Sequence, residues 1–315
     1  MQTWKFILDK YNSGKRVILL YVLESKGSSP GRQGFKMAVC DDNEMCGTIG
    51  GGIMEHKFVE LARSLFNKDN VQPGIFHQVH DTESKNRSGM ICSGEQTLFV
   101  HQISDNDIEH ITVLISSLED SKNGKLTLTK NELKFSNEIP GKNFYFHQIS
   151  DEEFILEEKT GYKNILHIIG GGHCSLALSR IMSRMDFHIT VYDDRSSLNT
   201  LTGNENVNKK VIINYEELGN LIQEGENVYV VIMTFGYRSD DIAVRALSGK
   251  KFKYIGLLGS RNKIKKMFDQ YSIEILDPEW LKNIHSPVGI NIKSETAEEI
   301  AISIAAEIIK GKNNQ

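Results

Sequence analysis

The sequence predicts a mixed α/β protein. It has a Rossmann-like parallel sheet with helices on both faces towards the C-terminus, and an α+β domain with mixed or antiparallel strands towards the N-terminus. From residue 164 onward, apolar strand-like runs alternate with helical patterns, which indicates a mostly parallel sheet covered on both faces. Between residues 74 and 157, short strands recur around one expected helix. Two glycine triplets, Gly50–Gly52 and Gly170–Gly172, each end an apolar run and open a helix, and such a turn exposes backbone N–H groups to an anion.

The length of the chain suggests two domains, because it has 315 residues and one domain usually holds ~100–200. We place the N-terminal domain at residues 1–160 and the C-terminal domain at residues 161–315. The boundary falls in the polar stretch Glu158-Lys159-Thr160-Gly161.

Composition excludes some classes of function. The net charge is −4 with no long basic block, which argues against a nucleic-acid partner. There is no apolar run of membrane-spanning length and no signal-peptide core at the N-terminus, so we expect a cytoplasmic protein without a membrane segment. No C-x-x-C pair occurs, so we expect reduced thiols and no metal site at the cysteines, Cys40, Cys46, Cys92 and Cys174.

Apolar spacing predicts the elements in order. The N-terminal ones are a helix at 3–11, strands at 16–24, 35–40 and 45–49 with a hairpin tip at 41–43, a helix after the first triplet, strands at 75–79 and 96–103, a helix near 107–118, and strands at 125–129, 144–149 and 154–157. The C-terminal ones are strands at 165–169, 188–192, 211–213, 228–233 and 254–258, helices at 174–185, about 239–248 and 261–269, and a last helix opened by a capping box at 296–299.

The second triplet resembles the dinucleotide fingerprint G-x-G-x-x-G, in which an acid follows ~20 residues later. Gly170 can make the tight turn and Gly172 lets a pyrophosphate approach, but the third glycine position holds Ser175. At the end of the next strand, Asp193 is placed to accept from a ribose hydroxyl and Arg195 to meet a phosphate. The site is either used by a dinucleotide or kept as a scaffold or dimer module, and Ser175 favours the second alternative.

Two further strand ends are candidate ligand positions, because ligands of open α/β sheets bind at the carboxyl ends of strands. They are the segments Met233–Arg238 and Gly256–Arg261. Ser260 is expected to cap a helix, with Arg261 in its first turn, where a cation opposes the helix dipole. Arg261 is therefore either an anion ligand or a solvated surface residue.

The first triplet lacks the Lys-Ser/Thr of a Walker P-loop. It can still present backbone N–H groups. Glu55 follows in the first helical turn, where it either complements the dipole or contacts a pterin or a ribose. His56 is expected to face solvent.

Taken together, these motifs resemble the XdhC/CoxI family. Gly27-Ser28-Ser29-Pro30 and Gly47-Thr48-Ile49-Gly50-Gly51-Gly52 with Glu55 resemble its N-terminal signature. The resemblance to its C-terminal Rossmann domain is carried by Ile169-Gly170-Gly171-Gly172-His173, Asp193-Asp194-Arg195, Gly259-Ser260-Arg261 and Ser286-Pro287-Val288-Gly289.

The resemblance implies an accessory protein without turnover of its own. Such a chaperone holds the molybdenum cofactor, as molybdopterin or its dinucleotide form, while a cysteine desulfurase supplies sulfur. It then passes the cofactor to an apo xanthine dehydrogenase-type enzyme. The candidate cofactor-binding residues are Ser28, Ser29, Gly47, Thr48, Gly50, Gly51, Gly52, Glu55, Gly170, Gly171, Gly172, His173, Asp193, Arg195, Gly259, Ser260 and Arg261.

The chain departs from the family pattern in two places. Cys92-Ser93-Gly94 stands where the family has Cys-Gly-Gly, so Cys92 is either a sulfur-handling thiol or a small buried residue. Thr234-Phe235-Gly236-Tyr237 stands where the family has Thr-His-x-His, so Phe235 and Tyr237 replace both imidazoles. His173 remains, either as a ligand contact or as a residue that starts a helix.

Two other functions stay open. Gly170, Gly172 and Asp193 also suit an NAD(P)-dependent oxidoreductase, although no proton-relay pair is recognisable. A regulatory or oligomerisation module that binds a nucleotide in order to fold is the third alternative. A homodimer is expected from the prevalence of dimers among soluble proteins.

Overall fold

The structure is a computed structural model that describes residues 1–68, 72–79, 94–274 and 277–313. The chain divides into two compact units, Met1–Gly161 and Tyr162–Gln315. Among the described residues, no helix combines the length and apolar character that crossing a bilayer requires.

The described residues of the first unit form two antiparallel sheets and three helices. The helices are α1 (Gln2–Asn12), α2 (Gly52–Leu65) and α3 (Asp105–Glu119). The five-stranded sheet, in the order β3-β2-β1-β5-β4, comprises β1 (Val17–Gly27), β2 (Lys36–Cys40), β3 (Met45–Gly47), β4 (Gly74–Val79) and β5 (Gly94–Gln102). The four-stranded sheet, in the order β7-β6-β9-β8, comprises β6 (Gly124–Thr129), β7 (Leu133–Ser136), β8 (Phe144–Gln148) and β9 (Phe154–Thr160).

Strand β1 is the centre of this unit, and its continuous apolar run is explained by burial on both faces. Ile18, Leu20 and Val22 pack with α2 on one side. Leu19 and Tyr21 face the other side, with α1, α3 and the four-stranded sheet. Alternate residues of a strand point to opposite faces, so a strand covered on both sides is apolar at every position.

In the second unit, the described residues form a parallel six-stranded sheet in the order β12-β11-β10-β13-β14-β15, flanked by helices. Its strands are β10 (Asn164–Ile169), β11 (Phe187–Asp193), β12 (Lys209–Ile212), β13 (Gly225–Ile232), β14 (Phe252–Leu257) and β15 (Ile284–His285). Its helices are α4 (His173–Met182), α5 (Asn199–Thr202), α6 (Leu218–Leu221), α7 (Tyr237–Ala246), α8 (Arg261–Ile273), α9 (Pro278–Lys282) and α10 (Ala297–Asn313). This is the 3-2-1-4-5-6 order of the Rossmann fold. Its ligand crevice lies at the carboxyl ends of the neighbouring strands β10 and β13, whose following helices α4 and α7 pack on opposite faces of the sheet.

Helices cover both faces of this sheet. Along β13, Val228 and Val230 pack in the cluster that contains α7 and α8. Tyr229 and Val231 pack in the opposite cluster, which contains α4 and α10. The predicted fold class, a C-terminal Rossmann domain together with an N-terminal α+β domain of antiparallel strands, is confirmed.

Capping residues and apolar spacing in the sequence predicted most of the helix starts correctly. The capping box of α10 forms, with the Glu299 N–H donating to Thr296 Oγ1 (3.2 Å) and the Thr296 N–H donating to Glu299 (3.1 Å). Ser260 caps α8 by accepting the N–H of Lys263 (3.3 Å). Helix α7 begins at Tyr237, earlier than predicted, because Gly236 takes the N-cap position.

Candidate functional site

In the first unit, the glycine-rich loop between β3 and α2 is held by the glutamate of its own helix. Glu55 Oε2 accepts hydrogen bonds from Thr48 Oγ1 (2.5 Å) and from the N–H groups of Ile49 (2.9 Å) and Gly51 (3.0 Å). The Gly50 N–H donates to Thr48 Oγ1 (3.0 Å). The donors expected to meet an external anion are therefore largely taken by this carboxylate. Glu55 Oε1 accepts no hydrogen bond within the described residues.

The serine-rich turn after β1 packs directly on this loop. Ser29 is buried and contacts Gln96, whose amide donates to the Ile49 carbonyl (2.9 Å). A Cβ on Gly50 would lie 2.4 Å from the Gly31 nitrogen, so the two turns touch backbone to backbone. The two parts of the N-terminal signature are thus brought together, with Ser28 and His56 exposed.

In the second unit, the glycines of the β10–α4 turn have different tasks. Gly170 has φ +109°, and a Cβ there would lie 2.3 Å from the Met233 carbonyl oxygen, so both conformation and packing require glycine. Gly172 has φ −71°, and a Cβ there would meet nothing within 4 Å. Since neither backbone conformation nor protein packing requires glycine at Gly172, the residue leaves open space at the start of α4.

Asp193 fixes this turn from within. It is fully buried, and it accepts hydrogen bonds from the Gly171 N–H (2.7 Å), the Arg195 N–H (3.0 Å) and Arg195 Nε (2.7 Å) and Nη2 (2.8 Å). Burial alone would raise the pKa of Asp193, but the guanidinium and the two N–H groups outweigh it and hold the pKa below its ordinary value. The fingerprint spacing predicted that this carboxylate contacts a ribose, whereas both of its oxygens accept hydrogen bonds from Gly171 or Arg195 inside the protein.

A cavity of about 710 Å³ opens at the start of α4, at the carboxyl ends of β10 and β13. The first intrahelical bond of α4 runs from the Leu176 N–H to the Gly172 carbonyl (3.0 Å). The three preceding N–H groups therefore have no intrahelical acceptor. His173 and Arg195 also line the cavity. These donors and the positive end of the helix dipole favour an anion.

Ser175, which replaces the third fingerprint glycine, also lines this cavity. Its side chain is 1% exposed, and its Oγ has no hydrogen-bond partner within the described residues. A buried hydroxyl without a partner is energetically costly, so a ligand group that satisfies it would be stabilised there. Ser175 thus suits a ligand site better than the sequence comparison with glycine suggests.

The turn after β13 is held by a buried carboxylate that pairs with a partly exposed lysine, and the sequence did not predict this contact. Asp240 is fully buried and accepts from the Thr234 N–H (3.0 Å) and Oγ1 (2.6 Å), and Lys263 of α8 donates to it. The neighbouring Phe235 lies at the cavity and is 90% exposed. Tyr237 instead donates to Gln270 (2.9 Å). Thr200, also missed, donates to the Gly171 carbonyl (2.6 Å) from the segment after β11.

Arg261 lines a separate cavity of about 260 Å³, at the carboxyl end of β14. Gly259 and Ser260 form the turn before it, and Lys293 also lines the cavity. The role of Arg261 as an anion ligand stays a prediction. Cys92 lies outside the described residues. Cys174 lines the larger cavity, where burial and then the nearby Glu298 raise the pKa of its thiol, so it is a weak nucleophile.

Two family models match the chain. Residues 166–308 match the XdhC Rossmann domain, and residues 11–75 match the XdhC and CoxI family. One match lies in each unit.

Curated relatives are similar over part of their own length. The uncharacterized protein YqeB of Escherichia coli (strain K12) is 26% identical over 297 residues, which is 93% of this chain and 43% of YqeB. A Bacillus subtilis (strain 168) protein described as a probable xanthine dehydrogenase subunit is 28% identical over 145 residues, 46% of this chain and 42% of that protein. This chain therefore spans less than half the length of each.

A solved structure shares the fold. A Bacillus halodurans protein described as a xanthine dehydrogenase superposes with a TM-score of 0.71 at 18% identity, covering 100% of this chain and 97% of the other.

Proposed function

The chain belongs to the XdhC and CoxI family, and on that premise we propose that it is a molybdenum cofactor chaperone. In this role it holds the cofactor as cargo, assists its sulfuration by a cysteine desulfurase, and delivers it to an apo xanthine dehydrogenase-type enzyme. The Bacillus subtilis relative, whose description names a xanthine dehydrogenase, supports the choice of client.

One observation carries this proposal: among the described residues, the lining of the large cavity in the second unit has donors for an anion and no activated nucleophile. Ser175 Oγ has no base beside it among the described residues, and the Cys174 thiol has a raised pKa. A nucleophilic enzyme needs an adjacent base or a depressed pKa. The lining is therefore suited to holding a phosphorylated ligand at the start of α4, with Arg195 as a fixed cation.

The first unit offers a complementary feature. Glu55 shapes the glycine loop with Oε2 and keeps Oε1 available. A pterin ring presents N–H donors, which a carboxylate oxygen accepts well. In this proposal Glu55 therefore contacts the pterin, and a phosphate is favoured at α4 rather than at the first triplet.

Cofactor retention tests the proposal. The full chain is produced in a host that makes molybdenum cofactor and, as a control, in a host that does not. Molybdenum is measured by mass spectrometry, and the pterin is measured after oxidation to its fluorescent form. We expect near-stoichiometric molybdenum and pterin from the first host alone. Their absence from both preparations would refute the chaperone.

The alternative is an NAD(P)-dependent oxidoreductase, which the strand order and the turn at Gly170 favour. Asp193 disfavours this alternative, because its carboxylate accepts hydrogen bonds from Gly171 and Arg195 instead of facing a ribose. Micromolar binding of NAD(H) together with absent pterin would select this alternative.

A further inference from the structure

The most exposed aromatic side chain at the Rossmann cavity is that of Phe235. It lies at the end of β13, beside the crevice between β10 and β13, and 90% of its surface is exposed. A large apolar ring in such a position gains nothing from the core of its own unit. It is suited to covering a flat ligand, because bases stack on aromatic rings with little dependence on sequence.

One face of this ring is approached by a cation of the protein. The guanidinium carbon of Arg195 lies over it, 5.7 Å from the ring centroid. Asp193 fixes that guanidinium through Nε and Nη2. The Phe235 ring is thus positioned by a cation on one side, and its high exposure leaves the other face open to a ligand.

The remainder of the cavity supplies a phosphate site and an apolar wall. The N–H groups at the start of α4 and the unpartnered Ser175 Oγ favour an anion. Leu198, Met233 and Leu258 supply apolar lining. A volume of about 710 Å³ lies within the range of ~300–1,000 Å³ that small-molecule sites occupy.

One element of dinucleotide recognition is missing. In the Rossmann fingerprint an acid after the second strand binds the ribose 2′-hydroxyl. Here both oxygens of Asp193 accept hydrogen bonds from Gly171 and Arg195, and the side chain is fully buried. This carboxylate has no surface with which to contact a sugar.

We propose that the cavity of the second unit binds a nucleoside diphosphate moiety by phosphate contact at α4 and base stacking on Phe235, without reading the ribose 2′-hydroxyl. This binding stands on the geometry of the second unit alone. Its extension, that the cargo is the dinucleotide form of the molybdenum cofactor, rests on the proposed function.

Calorimetric titration of the full chain tests the proposal with ADP, GDP, CDP, 2′-deoxy-ADP and inorganic pyrophosphate as probes. We expect at least one nucleoside diphosphate to bind about 5- to 150-fold more tightly than pyrophosphate, the range that stacking of one base gives. We expect ADP and 2′-deoxy-ADP to bind within about 2-fold of each other, whereas loss of a hydrogen bond to a carboxylate would cost roughly 10-fold or more.

Substitutions of Phe235 separate the contribution of its ring to affinity from the contribution of the rest of the cavity. Phe235→Ala should reduce nucleoside diphosphate affinity to that of pyrophosphate and leave pyrophosphate unchanged, while Phe235→Tyr should retain stacking. Ile273→Ala is the matched control, because Ile273 is also a highly exposed apolar side chain of this unit, at the end of α8.

Three results would overturn the inference: no nucleoside diphosphate binding more tightly than pyrophosphate, equal nucleoside diphosphate affinity in Phe235→Ala and the unsubstituted chain, or 2′-deoxy-ADP binding roughly 10-fold or more weakly than ADP. If pterin co-purifies in any of these cases, the proposed chaperone function is retained and only the nucleotide site is refuted. Nucleotide binding without co-purified pterin would support the nucleotide site and refute the proposed chaperone function.

Discussion

At the scale of single residues, a carboxylate takes up backbone donors at each glycine turn. Glu55 holds Ile49 and Gly51 in the first unit, and Asp193 holds Gly171 in the second. The glycine spacing could be recognised in the sequence, but the occupant of these donors depends on tertiary contacts. Both turns therefore differ from the open phosphate cradles that the sequence suggested, and the open donors lie at the start of α4 instead.

The exposure of Phe235 is a second property that could not be predicted from the sequence. The comparison with the family pattern indicated only that two imidazoles are replaced. Exposure decides what the replacement does, and it differs sharply between Phe235, at 90%, and Tyr237, which is hydrogen-bonded to Gln270. No local pattern distinguishes these two aromatic residues.

Gly172→Ala is the substitution that best tests phosphate approach. The backbone at Gly172 has φ −71°, and a Cβ would meet no protein atom, so unfolding stability should change by less than about 1 kcal/mol. Because the methyl group projects into the cavity, we expect pyrophosphate affinity to fall about 10-fold or more. Affinity is measured by calorimetry, and stability by urea unfolding.

Gly236, and not Gly51, provides the control for this substitution. Gly236 caps α7 with φ −163° and equally open space, but it does not line the cavity, so Gly236→Ala should leave affinity unchanged. Gly51 is a poor choice, since φ +77° makes any side chain strained there. Unchanged affinity in Gly172→Ala would place the phosphate elsewhere.

At the scale of elements, long apolar strands and capped helices were predictable, and short elements were not. Strands β10 and β13 were found because their apolar runs are long, and α10 because its capping box is local. Strand β7 was missed although Leu133 and Phe135 alternate with polar residues. Four residues are too few to distinguish a strand from a loop, and the two-residue β15 exists only through its pairing with β14.

The central strand β10 carries a buried histidine that should make the second unit sensitive to acid. Burial, and then the nearby His188, lower the pKa of His167 to about 4, while Tyr192 Oη lies 3.0 Å from its Nδ1. An unfolded histidine has a pKa of about 6.5, so its stabilising contribution is complete above that pH and is lost as the pH falls towards 4. The loss from this group should be roughly 3 kcal/mol.

Each unit has one tryptophan, Trp4 in the first and Trp280 in the second, and both are buried. Removing Trp4 therefore leaves a fluorescence signal from the second unit alone. In a Trp4→Phe background, the fluorescence of Trp280 reports urea unfolding of the second unit between pH 7 and pH 4. We expect His167→Gln to flatten the decline relative to the background protein. His188→Gln is the control, with a smaller effect because His188 is only partly buried. An identical decline in His167→Gln would contradict the assigned pKa.

At the scale of the whole molecule, each unit has its own hydrophobic core. Two apolar clusters lie entirely within residues 1–161, and two others lie entirely within residues 162–315. The two matched family models divide in the same way, with residues 11–75 in the first unit and 166–308 in the second. A unit that buries both faces of its own sheet has what it needs to fold alone.

We therefore expect residues 162–315, produced separately, to fold cooperatively and to bind the nucleoside diphosphate that the full chain binds most tightly within about 3-fold of the full chain. The phosphate donors at α4, the Arg195–Asp193 pair and the Phe235 ring all belong to this segment. Thermal unfolding by circular dichroism checks folding, and calorimetry checks affinity. The Phe235→Ala fragment should lose the same fraction of affinity as the Phe235→Ala full chain. A folded fragment that binds this nucleoside diphosphate more than about 10-fold less tightly than the full chain would show that residues 1–161 contribute to nucleotide affinity.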